Sequence, residues 1–266
     1  SQAVSADEYI WIGGTSAMIH DNANFTPVPT SWESVWRDSS IGNVMVLNNA
    51  GASNKALNCQ FNTMRLGGVV VSATGYSILP NNARPLNING EGGLAKFDIQ
   101  EGFSLGGSAN IWNAITLETD MSARIATGKT FILEGNCIKS EERTITVEGG
   151  GTLHLGQRVD NANFAANWVI KDNSYVKVMD WNNVNSVLNL LGKGIITIEA
   201  GAKISLGDGV TKEFTGTGAI TQTLAGEGTF EIYCSDNSSS TNYRTLNITG
   251  DFTGTIQIKK GTIALN

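Results

Sequence analysis

A chain that cleaves polysaccharide, or that holds a hard cation, needs carboxylates gathered in twos or threes on one surface. This chain has carboxylates strung from Asp98 through Glu118, Glu134, Glu148 and Glu199 to Glu231, and their spacing gathers none of them. Glu134, Glu148 and Glu199 each close a short apolar run just before a bend, the ordinary place for a solvated acid. Asp208, in Leu206-Gly-Asp-Gly-Val210, has the setting of a calcium loop and reads more simply as a turn residue. There are two histidines. His20 lies in an aromatic-rich leader, and His154 stands between Leu153 and Leu155, where strand alternation turns it outward. Cys59, Cys137 and Cys234 are odd in number and show no CxxC or Cys/His spacing, so they read as buried thiols. One pair could bridge in an oxidising compartment, and the spacing leaves the pair open. No nucleophile–base arrangement or phosphate-cradling glycine loop stands in the required strand-to-helix context. The expectation is a non-enzymatic chain with no catalytic residue, no cofactor and no metal.

Composition narrows the partners. Charged residues are 16% of the 266, the net charge is −6 and the pI is near 5.0. A nucleic-acid face needs clustered Lys and Arg, so nucleic acid is not an expected partner. No apolar run approaches the ~18 residues of a membrane-spanning helix, so no transmembrane segment is expected. Gly is abundant (31) and Pro scarce (4), which suits a protein built from tight corners.

Those corners recur. Six times an apolar residue, two others and a Gly or Asn lead into an apolar strand: Ile99 to Gly102, Ile125 to Gly128, Val147 to Gly150, Ile170 to Asn173, Ile198 to Gly201 and Ile258 to Gly261. A sharp bend requires a left-handed residue, which Gly adopts without steric cost and Asn adopts as second choice. Gly102, Gly128, Gly150, Asn173, Gly201 and Gly261 are therefore the expected structural corners. Successive starts at 99, 125, 147, 170 and 198 are the length of one coil of three short strands. Between them lie β-branched, alternating runs such as Thr144–Val147, Ile195–Ile198 and Ile256–Ile258, with no helical periodicity. A unit recurring at this period is a stacked coil, so the fold expected is an all-β parallel β-helix, or β-solenoid.

Residues 1–66 lack the corner and hold Trp11, Trp32 and Trp36, with a short helix-compatible stretch Ser31–Arg37 that Ser31 can cap. They are expected to form an aromatic-rich N-terminal cap with the first strands, and residues 67–266 the coils. Trp112, Trp168 and Trp181, outside the cap, could present a sugar-stacking surface or fill loops.

Gly151-Thr-Leu-His-Leu155, Gly228-Thr-Phe-Glu-Ile232, Gly254-Thr-Ile-Gln-Ile258 and Gly261-Thr-Ile-Ala-Leu265 share Gly-Thr-apolar-x-apolar. With Asp251-Phe-Thr-Gly254 before the third, residues 225–266 resemble the autotransporter-associated β-strand repeat. Tyr9-Ile-Trp-Ile-Gly13, followed by Trp32 and Trp36, resembles that family's opening. The resemblance implies a right-handed parallel β-helix, secreted to the bacterial cell surface, and brings no catalytic site with it.

The two ends suggest a use. Residues 1–40 carry five acids against Arg37, whereas residues 241–266 carry Arg244, Lys259 and Lys260 against Asp251. The last unit, through Ile263 and Leu265, is an apolar corner and strand with no polar cover after it, so either further coils or another molecule must cover it. The expectation is a structural subunit that self-associates head to tail into a filament, through Asp7, Glu8 and Tyr9 at one end and Lys259, Lys260, Ile263 and Leu265 at the other. The first residues would lie as a strand on a neighbour's open edge. The alternatives are a surface adhesin binding glycans or host surfaces, and a polysaccharide-processing β-helix enzyme.

Overall fold

The computed structural model describes residues 6–14, 16–39, 41–51, 53–59, 63–80, 86–106, 114–134, 137–140, 142–157, 166–180, 194–207, 219–233, 244–260 and 263–265. The chain is a β-solenoid of parallel sheets, as its alternation and corner period predict. It opens with β1 (Glu8–Trp11), β2 (Phe25–Thr26), the helix α1 (Trp32–Trp36) and β3 (Asn43–Leu47). The coils continue through β4 (Ala56–Cys59), β5 (Met64–Val71), β6 (Tyr76–Pro80), β7 (Leu86–Ile88), β8 (Leu94–Ile99), β9 (Phe103–Gly106) and β10 (Ala114–Leu117). Then come β11 (Asp120–Ile125), β12 (Thr130–Glu134), β13 (Cys137–Ser140), β14 (Thr144–Glu148), β15 (Thr152–Gln157), β16 (Asn167–Ile170) and β17 (Tyr175–Asp180). The last are β18 (Ile195–Ile198), β19 (Lys203–Leu206), β20 (Ala219–Gly226), β21 (Thr229–Tyr233), β22 (Arg244–Thr249), β23 (Thr255–Lys260) and β24 (Ile263–Leu265).

Two walls follow from the pairing. Sheet 2 has nine strands in the order β4-β6-β9-β12-β15-β17-β19-β21-β23. Sheet 1 runs β3-β5-β8-β11-β14-β16-β18-β20-β22-β24 and forks at β5, whose Met64–Leu66 pairs with β7 while Gly68–Val71 pairs with β8. The fork, continued by β10 and β13, is the third side of the early coils.

Apolar residues of both walls meet inside at every rung. Val71, Ile99, Ile125, Ile170 and Ile198 line sheet 1, and Phe131, Leu153, Val176, Ile204 and Phe230 line sheet 2, all fully buried. The Phe131 ring lies 5.5 Å from Phe103 and 5.7 Å from Phe97, near-parallel to both. Trp168 of β16 is buried in this core, where it pairs in register with Ile145 and Ile196. It is therefore not part of a sugar-stacking surface; Trp112 and Trp181 lie outside the described residues.

The aromatic end is built as the composition suggests. Trp11, Phe25 and Trp36 are buried together, with Trp11–Phe25 centroids at 5.2 Å and Phe25–Trp36 at 5.4 Å, and Tyr9 packs on Trp36 at 5.7 Å. Ser31 Oγ accepts from Ser34 N at 3.1 Å and starts α1. Buried Asn43 ties the layer together: its Nδ2 donates to Val35 O at 2.9 Å and its Oδ1 accepts from Asp7 N at 2.9 Å. The stacking begins earlier than the 66/67 boundary expected. β3 and β4 already form a rung, and residue 66 falls inside β5. Asn43–Leu47 is recognisable as a strand by itself, but its place in the stack is set by pairing with β5, which no local pattern announces.

Candidate functional site

Two groups of residues stand as candidates: the corners, which shape the stack, and its two ends. At the corner between sheets 1 and 2, the turns close by short-range bonds, Lys129 N to Ala126 O, Ser174 N to Lys171 O and Ala202 N to Glu199 O. Gly128 (φ 75°), Gly150 (φ 81°) and Gly201 (φ 81°) are left-handed there. Asp172 (φ 56°) and Asn173 (φ 60°) are both left-handed, the pair of positive φ values that a type I′ turn demands. Each corner also feeds the next: Thr152 N donates to Lys129 O, Lys203 N to Ser174 O, and Thr229 N to Ala202 O.

Two of the six expected corners differ. Gly102 has no left-handed φ, and a Cβ there would meet only Thr130 O, at 4.0 Å. The chain bends at Gln100 and Glu101 instead, and Glu101 takes an ion pair from Lys129 at 2.6 Å. The sixth unit turns at another corner. Ile258 lies on β23 of sheet 2 and Ile263 on β24 of sheet 1, whereas the other five units run from sheet 1 to sheet 2. Gly261 itself lies outside the described residues.

At the carboxyl end, Ile256 and Ile258 pair in register with Phe230 and Ile232. Phe230 and Ile232 are fully buried, but Ile256 is 38% and Ile258 44% exposed. The inward columns of sheet 2 thus run out into solvent at β23. Lys259, beside them, has a half-exposed side chain, and Lys260 pairs with Tyr233 after a register shift. Ile263 and Leu265 pair by backbone with Arg244 and Leu246, and their side chains lie outside the described residues.

The amino end is closed by its own chain. Asp7 O accepts from Val44 N at 2.9 Å, and Glu8 and Tyr9 pair in parallel with Val44 and Met45. β2 then covers part of β1, and Pro27 stops it after two residues, as edge strands are commonly blunted. The edge of β4 is covered by Ala17–Ile19, with Asn58 N donating to Ala17 O at 2.7 Å and Ile19 N to Asn58 O at 2.9 Å. The expected donation of the first strand to a neighbour is therefore corrected for Asp7–Trp11: Asp7–Ile10 pair with β3, and Ile10–Trp11 pair with β2. Tyr9 is likewise engaged, its hydroxyl pushed to higher pKa by burial and secondarily by Asp7. Asp7 and Glu8 are exposed, and Tyr9 is half-buried. The two sets of end residues stand at opposite ends of the stack.

The carboxylates sit with cations and amides rather than with one another. Glu118 accepts from Arg65 Nε at 3.0 Å, Asn87 Nδ2 at 2.7 Å and Asn89 Nδ2 at 2.7 Å. This network was not legible in the sequence because its donors lie 29 to 53 residues before Glu118. The coil period is the signal that finds it, since Arg65 and Asn87 are register partners. Glu148 accepts from Ser122 Oγ at 2.9 Å and pairs with Lys171 at 2.9 Å, contacts that lower its pKa. It forms part of an outward ladder, Asp98–Arg124–Glu148, whose signs alternate rung by rung. His20 lies in the cap and His154 on β15 of sheet 2. Cys59 is buried; Asp208 and Cys234 lie outside the described residues, as does the side chain of Cys137. Among the described residues no group of three or more His, Cys, Asp or Glu could hold a metal ion, and no helix is long and apolar enough to cross a membrane. Comparison with known proteins returns no matching family model, no matching curated protein and no matching solved structure.

Proposed function

We propose that this chain is a non-enzymatic structural subunit of an extracellular bacterial-surface assembly, joined end to end with further copies through its carboxyl-terminal rung. The observation that carries this reading is the exposure of Ile256 and Ile258 at register positions that the preceding rung buries completely. Water against two aliphatic side chains beside a strand edge is unfavourable, and a further apolar layer relieves it.

The neighbour's cap is the surface placed on that rung. Exposed Glu8 and the other acids of residues 1–40 are opposite in sign to Lys259 and Lys260, which orients a head-to-tail contact more than it strengthens it. One edge of β1 pairs with β3 and β2 covers the other at Ile10–Trp11, so the contact is mainly side chain on side chain, and an arrangement that does not close extends as a filament. The pairing of Glu118 and Glu148 with cations supports a structural role for these acids. The surface location rests on the resemblance to autotransporter-associated repeats.

Sedimentation and negative-stain microscopy over a concentration series test the proposal. The chain is expected to form concentration-dependent linear particles, and an Ile256→Lys/Ile258→Lys variant to remain monomeric with an unchanged β spectrum. A particle that stays monomeric up to its solubility limit, or a variant that assembles as before, defeats the reading.

A further inference from the structure

The outer wall of sheet 2 carries a group of charged residues of which end-to-end association uses only Lys259. Its outward positions align across the strands as His154–Lys177–Ser205–Glu231–Gln257, with Tyr175–Lys203–Thr229–Thr255 beside them. Glu231 lies between fully buried Phe230 and Ile232, so alternation points it away from the core, yet it is only 5% exposed. Its Oε1 lies 3.6 Å from Lys203 Nζ and 3.7 Å from Lys259 Nζ, and its Oε2 has no hydrogen-bond partner. A buried carboxylate with so few partners is a costly arrangement.

What the carboxylate accomplishes is visible in its neighbours. It draws together two ammonium groups from β19 and β23, which flank β21, and both side chains stay about 40% exposed. Lys203 is also fixed over the Tyr175 ring, 4.1 Å from its centroid, and Tyr175 Oη is anchored to Ser205 Oγ at 2.6 Å. The result is a pre-positioned pair of cations, with Lys177 near by, on a chain whose net charge is −6.

We infer that this wall binds an acidic polysaccharide, Lys203 and Lys259 each meeting a carboxylate of the glycan while Glu231 holds the two lysines in place. A nucleic acid fits the wall less well. The aromatic face at Tyr175, on which a base would stack, is already covered by Lys203.

Binding of the full chain to polygalacturonate, neutral dextran and single-stranded DNA at physiological salt tests the inference. Polygalacturonate is expected to bind, with dextran and DNA much weaker. The Lys203→Ala/Lys259→Ala variant is expected to bind it about tenfold more weakly. Lys259→Gln, on the outermost sheet-2 rung and remote from the core, keeps the test available if the double variant misfolds; it is expected to be weaker too. Glu231→Gln separates positioning from charge. A merely cationic wall would bind more tightly once the carboxylate is removed, whereas loss of the positioning residue weakens binding. Failure to bind polygalacturonate, equal binding of DNA, undiminished binding by the lysine variants, or tighter binding by Glu231→Gln each overturns the inference.

Discussion

Gly201 and Gly102 occupy the same place in the repeated unit and differ in what they tolerate. At Gly201 the backbone is left-handed, and an added Cβ would run into Asn173 Oδ1 one rung away. Gly201→Ala is expected to cost about 1–2 kcal/mol. Gly102 has ordinary φ and open space, so Gly102→Ala is expected to be neutral or to stabilise by about 0.4–1 kcal/mol through the unfolded chain. Urea midpoints of the two variants check the contrast. Glu148 gives a second prediction. Its hydrogen bond from Lys171, aided by Ser122, holds its folded pKa below the ordinary carboxylate value against the opposing effect of burial. Stability from this group is thus full above the unfolded pKa and is lost as pH falls through the folded one. Glu148→Gln is expected to flatten the acid limb of a stability–pH profile and to leave the shape near neutrality unchanged. Residue identity was a good guide to such corners because left-handed φ is a local requirement. It was a poor guide to Gly102, where the bend is made at Gln100 and Glu101, and to Glu231, whose partners come from different rungs.

Strands, as elements, were legible from alternation, and the short helix from Ser31 and its aromatic run. Which wall a strand joins was less so. The unit at Ile258–Ile263 spells the same bend as the other five, but the bend alone does not say whether the chain is leaving sheet 1 or sheet 2. That assignment depends on register accumulated along the preceding coils, and register changes where corners differ in length. Ala123 faces Val147 across sheet 1 while Phe131 faces Leu153 across sheet 2, so the corner between β11 and β12 carries two residues more than the one between β14 and β15. Within the core, the buried Phe131 ring packs near-parallel to both Phe97 and Phe103 of the preceding coil. Phe131→Ala is expected to cost about 3–5 kcal/mol. Because coils contact mainly their neighbours, amide exchange should accelerate first in β9, β12 and β15 while β19 and β21 keep their protection. A uniform loss of protection would show that the stack unfolds as one unit.

At the scale of the whole molecule, parallel stacking was expected from the coil period, and the aromatic cluster at the first rungs from composition. The closure of the amino end by its own strand was not expected. It rests on Asn43 joining Asp7 to Val35, a buried polar contact whose members carry no sequence signature. The consequence concerns how the protein is made. With the edges of β3 and β4 already occupied, rungs can be added in one direction only, so the cap acts as a seed and closure of each coil prepares the template for the next. A polypeptide emerging amino end first meets that template in the right order. Assembly of the fold in that order would be vectorial, a zipper with its stop fitted at the β1 end.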